Sequence, residues 1–434
     1  MITKTEFTAR RKKLLAQLPE NSIAILYSAP EVYRNNDTQY PYRQNSDFYY
    51  LTNFKEPEAI AIFIPKRAEG EFILFNRVKN STKEVWTGAY AGQQGAIDDF
   101  DADQSFSITE LDSKILELLA GKNRIYYPIG QDDKRDAQVF NWANQLKQKH
   151  RGATAPTEFF DIGTIVHEMR LIKSETEIDL MRQAAQISAA AHIRAIKICK
   201  EGLYEYTLQA EIEHEFKNHN TVPAYGSIVG SGTNACTLHY VDNEAKLKAG
   251  DLVLIDAACE HQYYASDITR TFPVSGKFNT EQRQIYELVL ATQLAIIEKI
   301  KPGLPYETLQ KTACELITAG LVQLGLLKGE LSKLLEEKAY QPFYMHNSGH
   351  WLGLDVHDVG AYQVEGKSRV LEIGMVLTVE PGIYIAEDNL QVDTKWRGIG
   401  VRIEDDILVT PTGNEVLSAG APKTIKDMEE LCRK

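Results

Sequence analysis

Two stretches of the chain share one pattern: an apolar run that follows a glycine turn and ends in a carboxylate. They are residues 250–256 (GDLVLID) and 374–380 (GMVLTVE), in which five residues separate the glycine from Asp256 and from Glu380. A short continuous apolar run bounded by turn signals is typical of a buried strand, and a buried carboxylate needs a partner or a cation. The repeat predicts a duplicated half-domain with an acidic site between the two halves.

A second acid follows the first of these strands. Asp267 begins the strand DITRTF, and a tight turn centred between residues 261 and 262 would place it directly opposite Asp256 on an antiparallel neighbour. Directly opposed residues have Cβ atoms roughly 4.5–5.5 Å apart. Two ionised carboxylates at that distance repel each other unless a cation lies between them. This pair therefore indicates a metal site, with a solvated polar turn as the alternative.

The second half contains a similar acid. Glu404 lies in the apolar segment VRIEDDILV, which predicts one strand over residues 401–409. Side chains of a strand alternate between its two faces, so Arg402 and Glu404 share a face while Asp405 points away. Asp406 returns to the first face and is a weaker candidate. Glu404 is therefore the better ligand in this segment.

Three of the ten histidines fall within twelve residues of HNSGHWLGLDVHDVG, at His346, His350 and His357. The glycines predict an irregular backbone here, and without the glutamate of an HExxH helix a zincin site is disfavoured. His239 follows the glycine loop GSIVGSGTN, which lacks the Gly-Lys-Ser/Thr of a phosphate-binding loop. Four carboxylates with at least one imidazole form an oxygen-rich set that suits Mn²⁺ and similar hard ions. Bridging carboxylates also allow two metals about 3.5–4 Å apart.

Strand and helix signals divide the chain near residue 172. They alternate through residues 1–172, which predicts an α/β domain with strands at 22–28, 58–64, 71–76 and 124–128 and helices at 108–119 and 137–147. The capping box of Ser174 and Glu177 then predicts the start of a long amphipathic helix that stops at Gly202. For residues 173–434 the signals predict further helices at 207–217, 281–299 and 306–324 and strands at 227–230, 252–257, 268–274, 376–380 and 401–409.

The net charge of the chain limits the kinds of molecule that it is expected to bind. The 434 residues include 48 Lys and Arg against 60 Asp and Glu, a net charge of −12, which argues against nucleic acid or an anionic membrane as a partner. The clearest apolar run, 59–64, is far shorter than the roughly 20 residues that cross a bilayer, and no apolar segment follows the basic N-terminus. Five scattered cysteines without a CxxC pair indicate reduced thiols. We expect a cytoplasmic protein that binds neither nucleic acid nor membrane.

These motifs resemble one family along nearly the whole chain. The chain is similar to the pita-bread metallopeptidases, and most closely to the Xaa-Pro aminopeptidases (aminopeptidase P), in the segments GSGTNACTLHYVDN, GDLVLIDAACEHQYYASDITRTFPVSGKF, PFYMHNSGHWLGLDVHDVG, GMVLTVEPGIYI and RGIGVRIEDDILVT. QNSDFYYLTNF and EVWTGAYAGQQGA are similar to its N-terminal part. The resemblance implies an α/β N-terminal domain, 1–172, for oligomerisation and substrate access. It also implies an α+β pita-bread C-terminal catalytic domain, 173–434, with pseudo-twofold halves.

The resemblance also assigns roles to site residues. It implies two divalent metal ions, Mn²⁺ first and Co²⁺ or Zn²⁺ as alternatives, held by five ligands: Asp256, Asp267, His350, Glu380 and Glu404. Of these, Asp267 and Glu404 would bridge both ions. Substrate-binding residues would be His239, His346 and His357, with Arg402 supporting the ligands and Trp86 at a site mouth, in a neighbouring subunit if the chain assembles.

The activity implied by the resemblance is hydrolysis of the first peptide bond of peptides with proline at the second position, by a hydroxide held between the two metal ions. Glu380 would accept its proton, His357 would stabilise the oxyanion, and His239 and His346 would orient substrate or relay protons. The family commonly forms homo-oligomers, so a dimer or tetramer is expected.

Three alternatives stay open at this point. They are a proline dipeptidase of the same superfamily, a metal-free binding protein on the same scaffold, and a creatine-hydrolysing relative, although such relatives lack the ligands present here. One position departs from the family pattern: Asn347 follows His346 where family members usually have glycine. Because Asn tolerates left-handed backbone better than most residues, the loop can keep a glycine-like path.

Overall fold

The computed structural model describes residues 2–149 and 155–433 and divides into two compact units, Ile2–Arg170 and Leu171–Lys434. Within the described residues, no helix is long and apolar enough to cross a lipid bilayer. Each unit has its own core of buried aliphatic and aromatic side chains.

A mixed six-stranded sheet forms the centre of the N-terminal unit, in the order β6-β5-β4-β1-β7-β8. The elements in chain order are α1 Lys4–Gln17, β1 Ser22–Tyr27, β2 Tyr33–Asn35, β3 Thr38–Gln39, α2 Ser46–Thr52, β4 Ile60–Phe63, β5 Phe72–Asn76, α3 Ser81–Thr87, α4 Gly92–Phe100, β6 Gln104–Ser107, α5 Leu111–Leu119, β7 Arg124–Tyr127, α6 Asp133–Lys149, β8 Glu158–Asp161 and α7 Gly163–Leu171. The predicted hairpin is confirmed, because β4 and β5 pair antiparallel. Helices α1 to α4 were not predicted.

Helix pairs and small antiparallel sheets make up the C-terminal unit. The elements are α8 Glu175–Ile198, α9 Glu205–Asn218, β9 Val222–Pro223, β10 Ile228–Ser231, β11 Leu252–Asp256, β12 Cys259–His261, β13 Tyr264–Ala265, β14 Thr269–Pro273, α10 Thr280–Lys299, α11 Glu307–Gln323, α12 Leu331–Glu336, β15 Gln363–Val364, β16 Lys367–Ser368, β17 Val376–Val379, β18 Gly382–Ile385, β19 Ile399–Arg402, β20 Asp405–Thr410, β21 Gly413–Val416 and α13 Ile425–Leu431. The predicted capping box is confirmed at the start of α8, where Ser174 and Glu177 exchange side chain-to-backbone hydrogen bonds.

The two repeated stretches occupy matching places in this unit. Strands β11 and β17 each follow a glycine with φ near +90°, Gly250 at +89° and Gly374 at +88°, a conformation that glycine adopts without steric cost. Each strand pairs antiparallel with a later strand, β14 or β20, and each half also contributes a pair of long helices, α8 with α9 and α10 with α11. The predicted duplication is confirmed.

The predicted register of the first half is wrong by two residues. Asp256 pairs with Thr269 and not with Asp267, because the turn lies at Gln262 and Tyr263, whose φ values are 50° and 74°. This turn centre is one residue later than predicted. Since side chains alternate along a strand, a two-residue shift still leaves the carboxylates of Asp256 and Asp267 on one face.

The predicted single strand over 401–409 is also wrong. Strand β19 pairs with β18, whereas β20 pairs with β17, and these pairs belong to different sheets. The break between β19 and β20 falls opposite Pro381, the residue between β17 and β18. Proline has no N–H to donate to a strand ladder. Glu404 lies at the break and forms an isolated bridge with Thr269 of the first half. The two halves therefore meet at the backbone of a predicted ligand.

Candidate metal centre

A cavity of about 750 Å³ in the C-terminal unit collects the predicted residues of that unit. Its lining includes all nine of them: His239, Asp256, Asp267, His346, His350, His357, Glu380, Arg402 and Glu404. They come from the ends of strands and from irregular loops, as is usual for residues positioned by a rigid scaffold. Trp86 lies elsewhere, on α3 of the N-terminal unit, and is 85% exposed.

Three of these residues could share one cation. One ligand atom each of Asp267, His350 and Glu404 lies within 4.8 Å of the others. Asp267 Oδ2 is 3.4 Å from His350 Nε2, and Glu380 Oε1 is 3.7 Å from the same nitrogen. Asp267 and Glu404 are almost completely buried. The two acids therefore come together where water is scarce and a cation would be their natural partner.

The tautomer of His350 suits metal binding. Its Nδ1 lies 3.0 Å from the Trp351 carbonyl oxygen, which can only accept, so Nδ1 carries the proton and donates. In the neutral ring, Nε2, the nitrogen facing Asp267 and Glu380, then has the lone pair that can bind a cation in place of a proton. A carbonyl oxygen that accepts from the other ring nitrogen and so orients a ligating imidazole is typical of metal sites.

Asp256 is held by two side chains that come from distant parts of the chain. Arg402 Nη2 donates to Asp256 Oδ2 at 2.6 Å, and the Tyr225 hydroxyl lies 2.6 Å from Asp256 Oδ1 and 2.6 Å from Asp267 Oδ1. The sequence analysis missed Tyr225, which precedes β10 and carries no motif. Its position next to the acids follows from the pairing of Ile228 with Asp256, which only the fold reveals.

Arg402 continues the network to a second tyrosine that was not predicted. Its Nη1 donates to the Tyr384 hydroxyl at 2.9 Å and its Nε to Thr269 Oγ1 at 3.2 Å. Tyr384 Oη is also 2.9 Å from His346 Nε2. A chain of polar contacts thus runs from His346 through Tyr384 and Arg402 to Asp256.

Burial changes the acidity of the carboxylates. The pKa of Glu380 is raised to about 7, chiefly by burial and against the attraction of the nearby His350 and Arg402. Burial and the negative charge of Asp267 raise the pKa of Glu404 well above its ordinary value, and burial also raises the pKa of Asp267. The acids are therefore short of compensating positive charge.

The histidines differ in their surroundings. The pKa of His350 is raised to about 9, because the contacts with Asp267 outweigh its burial. Burial, followed by the charge of Arg402, lowers the pKa of His346 to about 4, and burial also lowers the pKa of His357. Neutral His346 and His357 can accept or donate a proton near a substrate. Asn347 is not among the described non-glycine residues with positive φ, so this loop does not need a glycine there.

The acids after Glu404 lie behind the cavity. Asp405 is fully buried against Arg270 and Lys423, which, despite the burial, lower its pKa to about 2. Asp406 accepts a hydrogen bond from the backbone N–H of Asp267 at 3.1 Å and is not part of the cavity lining. Asp405 points away from the cavity, as expected, and Asp406 supports the backbone of a candidate ligand.

Known proteins match the chain along its length. Residues 179–411 match Metallopeptidase family M24, and residues 7–126 match Aminopeptidase P, N-terminal domain. The chain is 46% identical over 433 residues to a Xaa-Pro aminopeptidase of Escherichia coli, an alignment that covers 99% of this chain and 98% of the relative.

Solved structures of other proteins are also similar to this chain along nearly its whole length. The structure of Pseudomonas aeruginosa aminopeptidase PepP superimposes with a TM-score of 0.98 at 52% identity, covering 99% of this chain and 98% of that one. Aminopeptidase P from E. coli with the inhibitor Pro-Leu superimposes with a TM-score of 0.95 at 46% identity, with the same coverage of 99% and 98%. The expected architecture, an N-terminal domain followed by a pita-bread domain with two similar halves, is confirmed.

Proposed function

The chain belongs to metallopeptidase family M24, and from this membership we propose that it is a Xaa-Pro aminopeptidase, a metalloexopeptidase that removes the first residue of peptides with proline second. The observation that carries the proposal is the convergence of the four predicted carboxylates and the four predicted histidines on one cavity. That arrangement joins a metal site to the groups a peptide hydrolase needs for proton transfer.

The donor set fits divalent metal ions. Four carboxylates of the cavity face one guanidinium, that of Arg402, and one imidazole with a raised pKa, that of His350. We propose two ions, with Mn²⁺ first and Co²⁺ or Zn²⁺ as alternatives, since the ligands are mostly oxygen. The residues that would hold them are Asp256, Asp267, His350, Glu380 and Glu404, with Asp267 and Glu404 shared. When bound, such ions acidify water and polarise a carbonyl oxygen.

The chain's own residues would move the protons. Glu380 would accept a proton from the attacking water and pass it to the prolyl nitrogen of the leaving group, as a general base and then acid. His357 would donate to the oxyanion, and His239 and His346 would orient the peptide. Arg402 and Tyr384 would fix the carboxylate of Asp256 and the ring of His346.

The preference for proline has a physical basis. A peptide bond before proline has no N–H, so a peptidase that relies on this donor cannot hold it. The E. coli relative was solved with the inhibitor Pro-Leu, which has the composition of the product left after the first residue is removed. We propose the same substrate class for this chain.

Assembly and location complete the proposal. Residues 1–172 would form a domain for oligomerisation and substrate access, and residues 173–434 the catalytic domain. The protein would act in the cytoplasm as a homo-oligomer, a dimer or tetramer, in which Trp86 of one subunit reaches a neighbouring site mouth. Trp86 is 85% exposed, so its ring is accessible to another subunit.

The test is metal removal and replacement during peptide hydrolysis. The protein is stripped with a chelator, Mn²⁺ is added back, and release of the first residue from Gly-Pro-Ala is followed beside the matched peptide Gly-Ala-Ala. We expect hydrolysis of Gly-Pro-Ala only when metal is present, and none of the matched peptide. Cleavage of dipeptides with Gly-Pro-Ala left intact would indicate a proline dipeptidase, and hydrolysis without metal would contradict the proposal.

A further inference from the structure

The loop that carries His239 has no backbone support of its own. In the chain as described, residues 238–244 belong to no helix or strand, and none of their backbone groups bonds to another backbone group. The exposed imidazole of His239 also makes no hydrogen bond or ion pair within residues 2–149 and 155–433. The place of this ring in the cavity must therefore be set by side chains that hold the loop.

One buried carboxylate gathers most of that support. Glu205, the first residue of α9, has no exposed surface. Its Oε1 accepts from the backbone N–H and the hydroxyl of Ser231, at 2.6 and 2.7 Å, and from Asn234 Nδ2 at 3.1 Å. Its Oε2 accepts from the Tyr240 hydroxyl at 2.9 Å and from the backbone N–H of Ala245 at 2.8 Å. These bonds therefore hold residues before the loop, the residue directly after it, and Tyr240, the neighbour of His239.

The chemistry of this site requires a carboxylate. The five donors that converge on Glu205 include no Lys or Arg, so the buried charge is stabilised by hydrogen bonds and by the N-terminal end of α9. Glutamine has the same shape, but its amide group would turn two donors of its own toward the donors of the loop. The site therefore depends on the ionised acid and not only on the volume of the side chain.

A second anchor holds the same loop farther from the histidine. The Asn243 side chain accepts from the backbone N–H of Val229 at 2.9 Å and donates to the Ser227 carbonyl oxygen at 2.8 Å. It fixes the loop to β10 but does not contact the residues next to His239. Glu205 holds Tyr240, the next residue after His239, and is thus the closer support.

We infer that Glu205 is a positioning residue for His239, which it holds at the substrate cavity through Tyr240, Ser231 and Ala245. The inference rests on the proposed function, in which His239 orients the peptide. It also predicts that Glu205 has no effect on metal loading, because none of its contacts is to a candidate metal ligand. A displacement of about 1 Å in an orienting group can cost about 100-fold in rate.

The test is a double-mutant cycle in the Mn²⁺-loaded full chain, with kcat/KM for Gly-Pro-Ala as the measurement. Glu205→Gln should lower kcat/KM by about 10- to 100-fold in the wild-type background and by less than about twofold after His239→Ala, because coupled residues are non-additive. Tyr240→Phe, which removes the bond to Glu205 and a longer one from the Glu244 N–H, should show the same pattern with a smaller loss. Glu211→Gln, on the same helix but paired with Arg194, is the matched control and should leave kcat/KM unchanged.

Each outcome separates the inference from the function it rests on. Metal content by elemental analysis should equal that of the wild type in Glu205→Gln and in Tyr240→Phe. Equal losses in the wild-type and His239→Ala backgrounds would overturn the inference, as would a folded Glu205→Gln protein with normal kcat/KM. If Glu205→Gln does not fold, the cycle with Tyr240→Phe decides. A wild-type protein without metal-dependent hydrolysis would contradict the proposed function instead.

Discussion

The two halves of the C-terminal unit each present an acid at the end of a corresponding strand, but the two acids have different surroundings. Strand β11 ends at Asp256 and β17 ends just before Glu380, each after a glycine of nearly identical φ. Asp256 bonds to Arg402 and lies against Tyr225. The carboxylate of Glu380 has only two imidazoles near it, at 3.6 and 3.7 Å, and no hydrogen bond to it occurs in the described chain.

This difference shows that the duplicated strands set the positions of the two acids, while the residues around each acid set its chemical properties. A carboxylate in contact with a guanidinium and a hydroxyl is fixed in place by strong, charge-assisted hydrogen bonds. A buried carboxylate without such donors holds its proton more readily, and the pKa of Glu380 is raised to about 7 by burial. In the proposed site, Asp256 of the first half would be an anchoring ligand, and Glu380 of the second half would be a ligand that also exchanges protons.

The largest effect is expected where the two halves share the site. Asp267→Ala or Glu404→Ala removes an acid from the group of three that could hold one cation. We expect loss of bound metal and of hydrolysis to background, because both ions would lose a shared ligand. Elemental analysis and hydrolysis of Gly-Pro-Ala measure this, with exposed Asp388→Ala as the control. Near-normal turnover in either variant would falsify the assignment of these ligands.

Exchanging acid for amide in each half tests the comparison directly. Glu380→Gln should lower kcat by about 10²–10⁴-fold even with metal in excess, the range for loss of a general base. Asp256→Asn should act mainly by weakening metal binding, so that excess Mn²⁺ restores much of the rate. Titration of activity with Mn²⁺ separates the two variants. Identical responses would show that the halves do not divide these roles.

The metal-free protein should lose stability relative to its Glu380→Gln variant as pH rises from about 4.5 to about 7. The pKa of Glu380 is raised from 4.5 to about 7 in the folded chain, so its favourable contribution is complete below the unfolded pKa and is lost as pH passes the folded one. A shift of this size is worth about 3 kcal/mol. The Tm of the chelated protein between about pH 5 and 8 measures this, with Glu380→Gln as the control. Equal slopes for variant and wild type would rule out Glu380 as the source.

The smallest effect should come from a change at Tyr225, whose hydroxyl lies between the two acids of the first half, Asp256 and Asp267. Tyr225→Phe keeps the ring and removes one contact to Asp256 and one to Asp267. Loss of an outer partner of metal ligands typically costs about 10-fold or more in metal affinity, so we expect a weakening near 10-fold with kcat almost unchanged at saturating Mn²⁺. A competition assay with a fluorescent chelator gives the affinity. An unchanged affinity would mean that the hydroxyl does not support these ligands.

Local chemistry made much of this molecule predictable. The start of α8 followed from the capping box of Ser174 and Glu177, whose bonds join residues only three apart. The strands that end at Asp256 and Glu380 followed from their apolar runs. The turn before Asp267 was misplaced by one residue, because nothing in the local pattern marks Gln262 and Tyr263 as left-handed.

Contacts between distant residues were beyond such patterns. Tyr225, Tyr384 and Glu205 are ordinary residues in the sequence, and their partners lie up to 42 positions away along the chain. Only the tertiary fold brings them to the acids or to the His239 loop. The split of 401–409 into β19 and β20 likewise depends on two different partner strands.

The sequence by itself determined which side chains could hold a cation and where the two halves of the catalytic unit repeat, because both depend on residue type and on short-range periodicity. The tertiary structure alone decided that Asp256 has a guanidinium partner, that no described guanidinium bonds to Glu380, and that Glu205 supports the loop of His239. Charge compensation and burial depend on neighbours from distant segments. No local pattern can specify those neighbours.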